Sequence, residues 1–250
     1  MSKEQKNHII GGITGGMGSR IAEELQSNGH RVAGFARDQE KIDQLSNRLD
    51  CTIRSCEATD AEEVTNTIGQ LHEELGSIDT YTHAIGSIFL KPAHLTSDEE
   101  WLETIQINLN SAFYALRAVA KIMSKQGNGS CLFFSTAAAQ TGIASHEAIA
   151  AAKGGIEAMV RAAAASYSAR GMRINAIAPS ITDTPLSQGI IGSDQGLKIS
   201  KSMHPLGDVT HPEDVASLAA WLHSDQAKFA TGQTYVLDGG ISTIVPKPRA

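Results

Sequence analysis

Short apolar segments alternate with amphipathic helical segments along nearly the whole chain, and this alternation restricts the possible folds more than any other feature. Helical segments such as DAEEVTNTIGQLHEELG carry apolar residues three and four positions apart, and residues 101–126 are typical of one long helix or a kinked pair. Strands that alternate with helices form right-handed crossovers and a parallel sheet covered on both faces. The sequence therefore predicts an α/β fold, with seven strands at HIIGG (8–12), RVAGFA (31–36), CTIRSCEA (51–58), IDTYTHAIG (78–86), GSCLFFST (129–136), MRINAIAP (172–179) and GQTYVLDGG (232–240).

Residues 180–210 are the exception to this alternation, because they show no clear period. A long irregular stretch inside a compact domain is usually a binding loop rather than a linker. No repeat, low-complexity tract or linker divides the chain elsewhere. We expect a single domain over residues 1–250, with a substrate loop at about 180–210.

The composition is that of an ordinary soluble protein, with 41% hydrophobic and 19% charged residues and a net charge of −6. This charge argues against nucleic-acid binding. The polar start MSKEQKNH has no apolar segment behind it, and no apolar run reaches the roughly 18 residues that span a bilayer. Cysteines, histidines and carboxylates show no metal-ligand spacing. We expect a reduced, cytoplasmic protein without a signal peptide, membrane span or metal site.

A glycine-rich turn follows the first predicted strand. Gly12, Gly16 and Gly18 have a GxxxGxG spacing, with Thr14 and Met17 in the same turn, directly before a helix. A backbone without side chains can turn tightly and approach a pyrophosphate, whose charge the amides at a helix start can hold. At the first strand–helix junction of an alternating series, the pattern predicts a single-domain Rossmann-type doubly wound sheet that binds a dinucleotide.

The end of the second strand indicates which dinucleotide is bound. An acidic residue there would hold the adenosine ribose hydroxyls and repel a 2′-phosphate. The sequence reads Phe35-Ala36-Arg37 instead, and a guanidinium is suited to a phosphate. We therefore expect NADP(H) rather than NAD(H). The alternative is that Arg37 is a solvated arginine before a helix cap at Asp38.

Together these segments resemble the short-chain dehydrogenase/reductase family over nearly the whole chain. The resemblance rests also on Asn108 in IQINLNSAF, on the strand end FFST, on the helix that carries Lys153, and on RINAIAPSITDT. The tail PEDVASLAAWLHSDQAKFATGQTYVLDGG is most similar to the 3-oxoacyl-carrier-protein reductase branch. Members of this family associate through long helices like those around Asn108 and Lys153. The resemblance thus implies a homodimer or homotetramer.

The resemblance also assigns roles to individual residues. It implies that Lys153, Asn108 and Thr136, with Ser135 adjacent, belong to the catalytic set. Lys153 would also hold the nicotinamide ribose. The further residues that it places at the cofactor are Glu57 (with Asp60 as the alternative), Ala84, Gly86, Pro179, Ile181 and Thr184.

The catalytic tyrosine of the family is missing. It would stand four residues before Lys153, and that position is Ile149, which can neither donate nor accept a proton. His146 is three residues before Ile149 and seven before Lys153, so on a helix it shares their face. Imidazole is a competent acid near neutral pH. We hypothesise that His146 replaces the tyrosine as proton donor; the alternative is that it only helps to start the helix beside Ser145.

These observations leave several functions open. The favoured one is an NADP(H)-dependent oxidoreductase acting on a carbonyl or conjugated enoyl group of a small-molecule or acyl-thioester substrate. A cofactor-binding or regulatory subunit with reduced catalysis, or a non-redox isomerase or dehydratase, are the alternatives. His83, at the end of the fourth strand, either lines the site or packs in the core.

Overall fold

A seven-stranded parallel sheet forms the centre of the molecule, and the computed structural model describes residues 5–245. The predicted polar amino terminus lies outside this range at residues 1–4, as does the end of the predicted domain at residues 246–250. The strands are β1 (Asn7–Gly11), β2 (Arg31–Ala36), β3 (Thr52–Ser55), β4 (Thr80–His83), β5 (Gly129–Phe134), β6 (Met172–Pro179) and β7 (Thr234–Leu237). Their order in the sheet is β3-β2-β1-β4-β5-β6-β7, which confirms the predicted Rossmann-type α/β fold.

Helices cover both faces of this sheet. Ile9 and Ile10, neighbours in β1, have no exposed surface, and they belong to two different core clusters. Because successive side chains of a strand point to opposite faces, a strand covered on both sides reads as a continuous apolar run. The helices are α1 (Gly16–Ser27), α2 (Gln39–Arg48), α3 (Ala61–Leu75), α4 (Asp98–Ile105), α5 (Ser111–Gln126), α6 (Glu147–Tyr167), α7 (Gln188–Ile191), α8 (Asp194–Met203) and α9 (Pro212–His223).

The strand order reverses between β1 and β4. The chain builds β1, β2 and β3 outward in one direction, then returns to place β4 on the other side of β1, with Gly11 paired to His83. In open α/β sheets, ligands bind outside the carboxyl ends of the strands at such a reversal. The glycine turn after β1 and residues 84–86 after β4 therefore face the same crevice.

The predicted helical stretch at 101–126 is a kinked pair. The α4 helix begins three residues before the predicted start, where Ser97 forms a capping box with Glu100. A π turn over residues 106–110 separates α4 from α5. Such turns are frequent at functional sites, and this one contains Asn108.

The prediction that residues 180–210 are irregular is wrong. After β6 the chain forms a 3₁₀ turn at Pro185–Ser187, followed by α7 and α8. These helices are short and contain glycine, so the sequence shows no clear period, although Ser193 caps α8 by accepting from the amide of Gly196 at 3.1 Å. A bridge between Thr182 and Thr210 closes the base of this segment. We call residues 180–210 the lid segment.

Within residues 5–245, no helix combines the length and the apolar character that crossing a bilayer requires.

Candidate active site

The glycine turn forms a recess that side chains would fill. Gly12 has a φ of +77°, and a Cβ on it would lie 2.8 Å from the carbonyl oxygen of Ala84. A Cβ on Gly16 would lie 2.8 Å from Cβ of Thr184, and one on Gly18 would lie 2.3 Å from the carbonyl oxygen of Gly12. The recess therefore requires glycine for steric reasons.

The amino end of α1 opens into this recess. The N-cap of α1 is Gly15, which offers no side-chain cap to the first amides. Amides in a first helical turn have no partner within the helix and attract an anion. Bare amides beside a recess without side chains fit the pyrophosphate of a dinucleotide.

The end of β2 lies next to the glycine turn, and the end of β3 lies beside that of β2. Arg37 follows β2 and is exposed, and its charge attracts the carboxylate of Glu57. Hydrogen bonds from the hydroxyl (2.8 Å) and amide (3.1 Å) of Thr59 lower the pKa of Glu57, and Arg37 adds a smaller effect. Asp60 caps α3 by accepting from the amides of Glu62 and Glu63. The carboxylates of Glu57 and Asp60 thus bind groups of their own segment after β3, whereas Arg37 is exposed at the end of β2.

Lys153 and Asn108 meet around Gly86. A Cβ on Gly86 would lie 2.9 Å from Oδ1 of Asn108 and 3.2 Å from Nζ of Lys153. Asn108 is fully buried. Its side chain accepts a hydrogen bond from the backbone amide of Ser87 at 3.0 Å and donates one to the Ser87 hydroxyl at 2.9 Å. The Asn108 side chain also donates to the carbonyl of Thr104, in the last turn of α4, at 3.0 Å. The π turn thus fixes the loop that follows β4.

Lys153 is a buried cation. It is 7% exposed on α6, and burial lowers the pKa of its ammonium from 10.5 to about 8. No carboxylate forms an ion pair with it among residues 5–245. The ammonium therefore remains available for a ligand in the cleft.

Two hydroxyl-bearing residues follow β5 and line the same cleft. Thr136 accepts from the amide of Ala138 at 3.3 Å and caps a short 3₁₀ turn. Ser135 is buried and donates to Glu157 at 2.7 Å; Gln140 donates to the other oxygen of that carboxylate at 3.0 Å. Glu157 lies one turn after Lys153 on α6. The sequence alone does not indicate it, because it has the pattern of an ordinary charged helix residue.

The structure brings Ile149 and His146 to this cleft as well. Ile149 is 6% exposed, so a side chain without polar atoms forms this part of the wall. His146 is half-buried and is itself the N-cap of α6, without a side-chain cap; Ser145 precedes it with a φ of +64° and does not cap the helix. The imidazole Nδ1 of His146 lies 2.8 Å from the carbonyl of Ala144.

His83 packs in the core behind the site. It is 1% exposed, and its ring lies between the hydroxyls of Tyr81 (2.9 Å) and Ser111 (3.0 Å). Burial, and to a smaller extent the charge of Lys153, lower the pKa of His83 to about 3. His83 is therefore a neutral, hydrogen-bonded core residue, and of the two interpretations of the sequence the core one holds.

The lid segment closes a cleft of about 260 Å³ over these residues. Its wall includes Met17 from the glycine turn, Ala84 and Gly86 after β4, Pro179 at the end of β6, and Ile181 and Thr184 after it, all predicted from the sequence. Arg37 and Glu57 do not line it and lie further along the sheet edge. The polar side chains contributed by the lid segment include Ser180 and His204, which the sequence did not indicate. Most of the other wall residues are apolar: Ile85, Ile88, Leu90, Ile143, Leu186, Ile190, Met203 and Ile241.

Comparison with known proteins identifies a family, related sequences and similar structures for this chain. The family described as enoyl-(acyl carrier protein) reductase matches residues 12–242. The 2-(S)-hydroxypropyl-CoM dehydrogenase 3 of Xanthobacter autotrophicus is 30% identical over 98% of this chain and 100% of its own length. The 3-oxoacyl-[acyl-carrier-protein] reductase FabG of Salmonella typhimurium is 28% identical over 96% and 99%. A short-chain type dehydrogenase/reductase from Mycobacterium ulcerans shares the fold with a TM-score of 0.92 and 25% identity, over 97% of this chain and 91% of that one.

The sheet is doubly wound, with a glycine recess where the strand order reverses and a buried lysine in the adjoining cleft. These features are typical of oxidoreductases that bind a dinucleotide. The match over residues 12–242 then fixes the family, since it covers most of the chain. The chain belongs to the short-chain dehydrogenase/reductase family, whose members are oxidoreductases.

Proposed function

We propose that the protein is an NADP(H)-dependent oxidoreductase that acts on a carbonyl or conjugated enoyl group of an apolar substrate, without a tyrosine as acid. The observation that carries the proposal is the buried ammonium of Lys153 beside Asn108 and Gly86, in a cleft that adjoins the glycine recess. Burying a cation without a carboxylate is costly, and such groups are retained mainly where they bind a ligand or react.

The residues present fit a nicotinamide dinucleotide. When bound, this group supplies or accepts the hydride. The amides of Gly16, Met17 and Gly18 would hold its pyrophosphate, Arg37 its 2′-phosphate, and Lys153 its nicotinamide ribose. The remaining proposed contacts come from the loops after β1, β3, β4 and β6: Gly12, Thr14, Glu57, Ala84, Gly86, Pro179, Ile181 and Thr184.

The chain must also hold and move a proton. Lys153 and Asn108 would polarise the site, and the hydroxyl of Thr136 would bind the substrate oxygen. Ile149 occupies the position where the family has its tyrosine, so another group must exchange the proton. Imidazoles line the cleft at His146 and His204, and either is suited to this role. The assignment to His146 stays a prediction from the sequence.

The lid segment would select the substrate. Its face toward the cleft is apolar at Leu186, Ile190 and Met203, so a hydrocarbon portion of the substrate fits there better than a charged one. Conjugated enoyl groups suit the site in a second respect, because an enolate is a weaker base than an alkoxide and requires less proton assistance. The name of the FabG relative points in the same direction, toward acyl thioesters.

A homodimer or homotetramer remains our expectation. On α4 and α5, Trp101, Leu102 and Phe113 are 41%, 63% and 48% exposed. Exposed apolar side chains on neighbouring helices favour a subunit contact.

The experiment that tests the function has two stages. NADPH binding, followed by its fluorescence, is expected for the wild-type protein and is expected to weaken in Lys153→Met. NADPH oxidation is then measured against ketones, 3-oxoacyl thioesters and 2-enoyl thioesters, and we expect turnover with an apolar member of this panel. Binding without any turnover would instead indicate a cofactor-binding regulatory subunit, which the apolar Ile149 in the cleft favours as the second candidate. Product formed without net NADPH oxidation would indicate an isomerase or dehydratase.

A further inference from the structure

A serine and a histidine form a hydrogen-bonded pair in the wall of the cleft, where the segment after β6 departs from the family. The family has Pro-Gly in this nicotinamide segment, and this chain has Pro179-Ser180. We propose that Ser180 and His204 are the acid–base pair of the reaction, in which Ser180 exchanges the proton with the substrate oxygen and His204 acts through Ser180. This inference rests on the proposed function and names the group that replaces the tyrosine.

The geometry of the pair is that of an activated hydroxyl. Nε2 of His204 lies 2.8 Å from Oγ of Ser180, and Nδ1 lies 2.7 Å from the carbonyl oxygen of Ser200. A carbonyl can only accept, so Nδ1 carries the ring hydrogen and Nε2 accepts from the Ser180 hydroxyl. A hydroxyl that donates to an imidazole, itself oriented by a third group, is the arrangement that enzymes use to activate serine.

The ring of His204 is buried and has a carboxylate nearby. The ring is 4% exposed, and β7 ends beside it, since a Cβ on Gly239 would lie 3.4 Å from its Cδ2. Burial raises the pKa of the nearby Asp238 carboxyl, but hydrogen bonds from Ser242 and Gly240 and the attraction of His204 outweigh it, so the pKa is lowered on balance. Asp238 is therefore a carboxylate anion close to the ring of His204.

His204 is better placed for proton transfer than His146. His146 is half-buried at the start of α6, and its Nδ1 lies at hydrogen-bond distance from the carbonyl of Ala144, two residues away. His204 is buried, and it contacts the hydroxyl of Ser180, a residue that lines the cleft. A second hydroxyl, of Thr210, lies 2.9 Å from Ser180 and holds the serine side chain in place.

The proton steps balance in both directions. In alcohol oxidation, the substrate O–H bond breaks and its proton passes to Oγ of Ser180, while the serine proton passes to Nε2 of His204. The carbinol C–H bond would break with its hydrogen leaving as hydride, which an oxidised nicotinamide dinucleotide would accept when bound. The substrate would then hold a carbonyl group, and His204 would be an imidazolium that loses its proton to water. Reduction follows the reverse order, from imidazolium to serine to the substrate oxygen.

Variants at the two positions separate this role from a structural one. His204→Gln can still accept from the serine hydroxyl but cannot carry the proton, and Ser180→Gly restores the family residue. We expect each to lower kcat by about 10²- to 10⁴-fold, the usual contribution of a general acid or base. NADPH affinity should be unchanged, Ser180→Thr should recover most of the turnover, and the double variant should be no slower than the slower single variant. The exposed His94, replaced by Gln, is the matched control and should behave as wild type.

A readout that does not depend on turnover tests the pair itself. In nitrogen NMR of the apo protein, the neutral ring of His204 should carry its hydrogen on Nδ1, and Ser180→Gly should shift the Nε2 resonance of His204 but not that of His146. Unchanged His204 resonances would show that the pair does not form and would overturn the proposal.

The outcomes also distinguish this inference from the proposed function. Wild-type turnover that survives in His204→Gln overturns the pair alone, and a loss confined to His146→Ala assigns the role to His146 instead. A wild-type protein that neither binds NADPH nor turns over any substrate overturns both.

Discussion

The proposed nucleotide side and the proposed substrate side of the cleft are built in different ways. On the nucleotide side, backbone atoms form the recess, and glycine is required because any Cβ at Gly12, Gly16 or Gly18 would collide with other atoms. On the proposed substrate side, the wall includes side chains from α6 and from the lid segment, among them Ile149 and Ser180, the two positions at which we propose that the chain departs from its family. A recess made of backbone tolerates little change, whereas a wall made of side chains can acquire a new chemistry on the same fold.

Lys153 lies where the two sides meet, and its replacement should have the largest effect on stability. Burial lowers its pKa from 10.5 to about 8, so between these values the unfolded chain binds more protons than the folded protein. The free energy of unfolding should therefore rise with pH across that window and carry a constant penalty below it. Lys153→Met removes the penalty, and we expect the apo protein to gain up to roughly 3 kcal/mol at neutral pH, while turnover is lost.

Urea unfolding at neutral pH and near pH 10 measures this, with the exposed Lys121→Met as control. The gain in the free energy of unfolding of Lys153→Met over wild type should vanish near pH 10. A Lys153→Met protein less stable than wild type at neutral pH would show that the ammonium is stabilised by the fold, and the site would then have no cation reserved for a ligand.

Gly16 tests whether the nucleotide side is as intolerant as its geometry indicates. In Gly16→Ala the new Cβ would lie 2.8 Å from Cβ and Cγ2 of Thr184, which forces the lid segment away from the glycine turn. Overpacking of this kind costs about 1–3 kcal/mol, so we expect the dissociation constant for NADPH to rise by about 5- to 150-fold. Gly69→Ala is the control, because nothing lies within 4 Å of its added Cβ and α3 should be stabilised. Equal NADPH affinity in Gly16→Ala and wild type would contradict a dinucleotide bound across this turn.

The same division explains what the sequence could predict. The strands, the glycine turn and the helix that carries Lys153 follow from local patterns, because apolar runs and glycine spacing reflect local requirements. Whether His83 lined the cleft or packed in the core could not be decided, because its partners Tyr81 and Ser111 come together only in the folded sheet.

The sequence predicts an irregular lid segment. It does not indicate the pair of Ser180 and His204, and the reason is physical. The two residues are 24 positions apart and meet only when α8 folds back on β6. A serine after a proline and a histidine before one carry no signal of their own. The sequence shows a serine directly after Pro179, but it does not indicate which side chain that serine contacts.

Arg37 should affect selectivity between coenzymes rather than binding as such. It is exposed, so water screens its charge, and its contribution to a 2′-phosphate contact should be at the low end of charged hydrogen bonds, about 1.5 kcal/mol. We expect Arg37→Ala to raise the NADPH dissociation constant by about 10-fold and to leave NADH binding unchanged. Titration of both coenzymes by fluorescence checks this. Equal losses of affinity for NADPH and NADH would mean that Arg37 does not contact the 2′-phosphate, and would contradict the proposed preference for NADP(H).

Two residues of α8 test the substrate side in a matched way, with a smaller expected effect. Met203 and Ile199 are 49% and 51% exposed on the same helix, but only Met203 belongs to the cleft wall. A substrate that covers the exposed half of the methionine side chain would gain about 1 kcal/mol from it, so Met203→Gln should raise KM for apolar substrates by about 5-fold. Ile199→Gln should leave KM unchanged, and neither variant should alter NADPH affinity. If both variants raise KM equally, the effect comes from the folding of α8 and not from a contact with substrate. If NADPH affinity falls in Met203→Gln, the two sides of the cleft are coupled through the lid segment, and the separation between a fixed nucleotide side and an adaptable substrate side no longer holds.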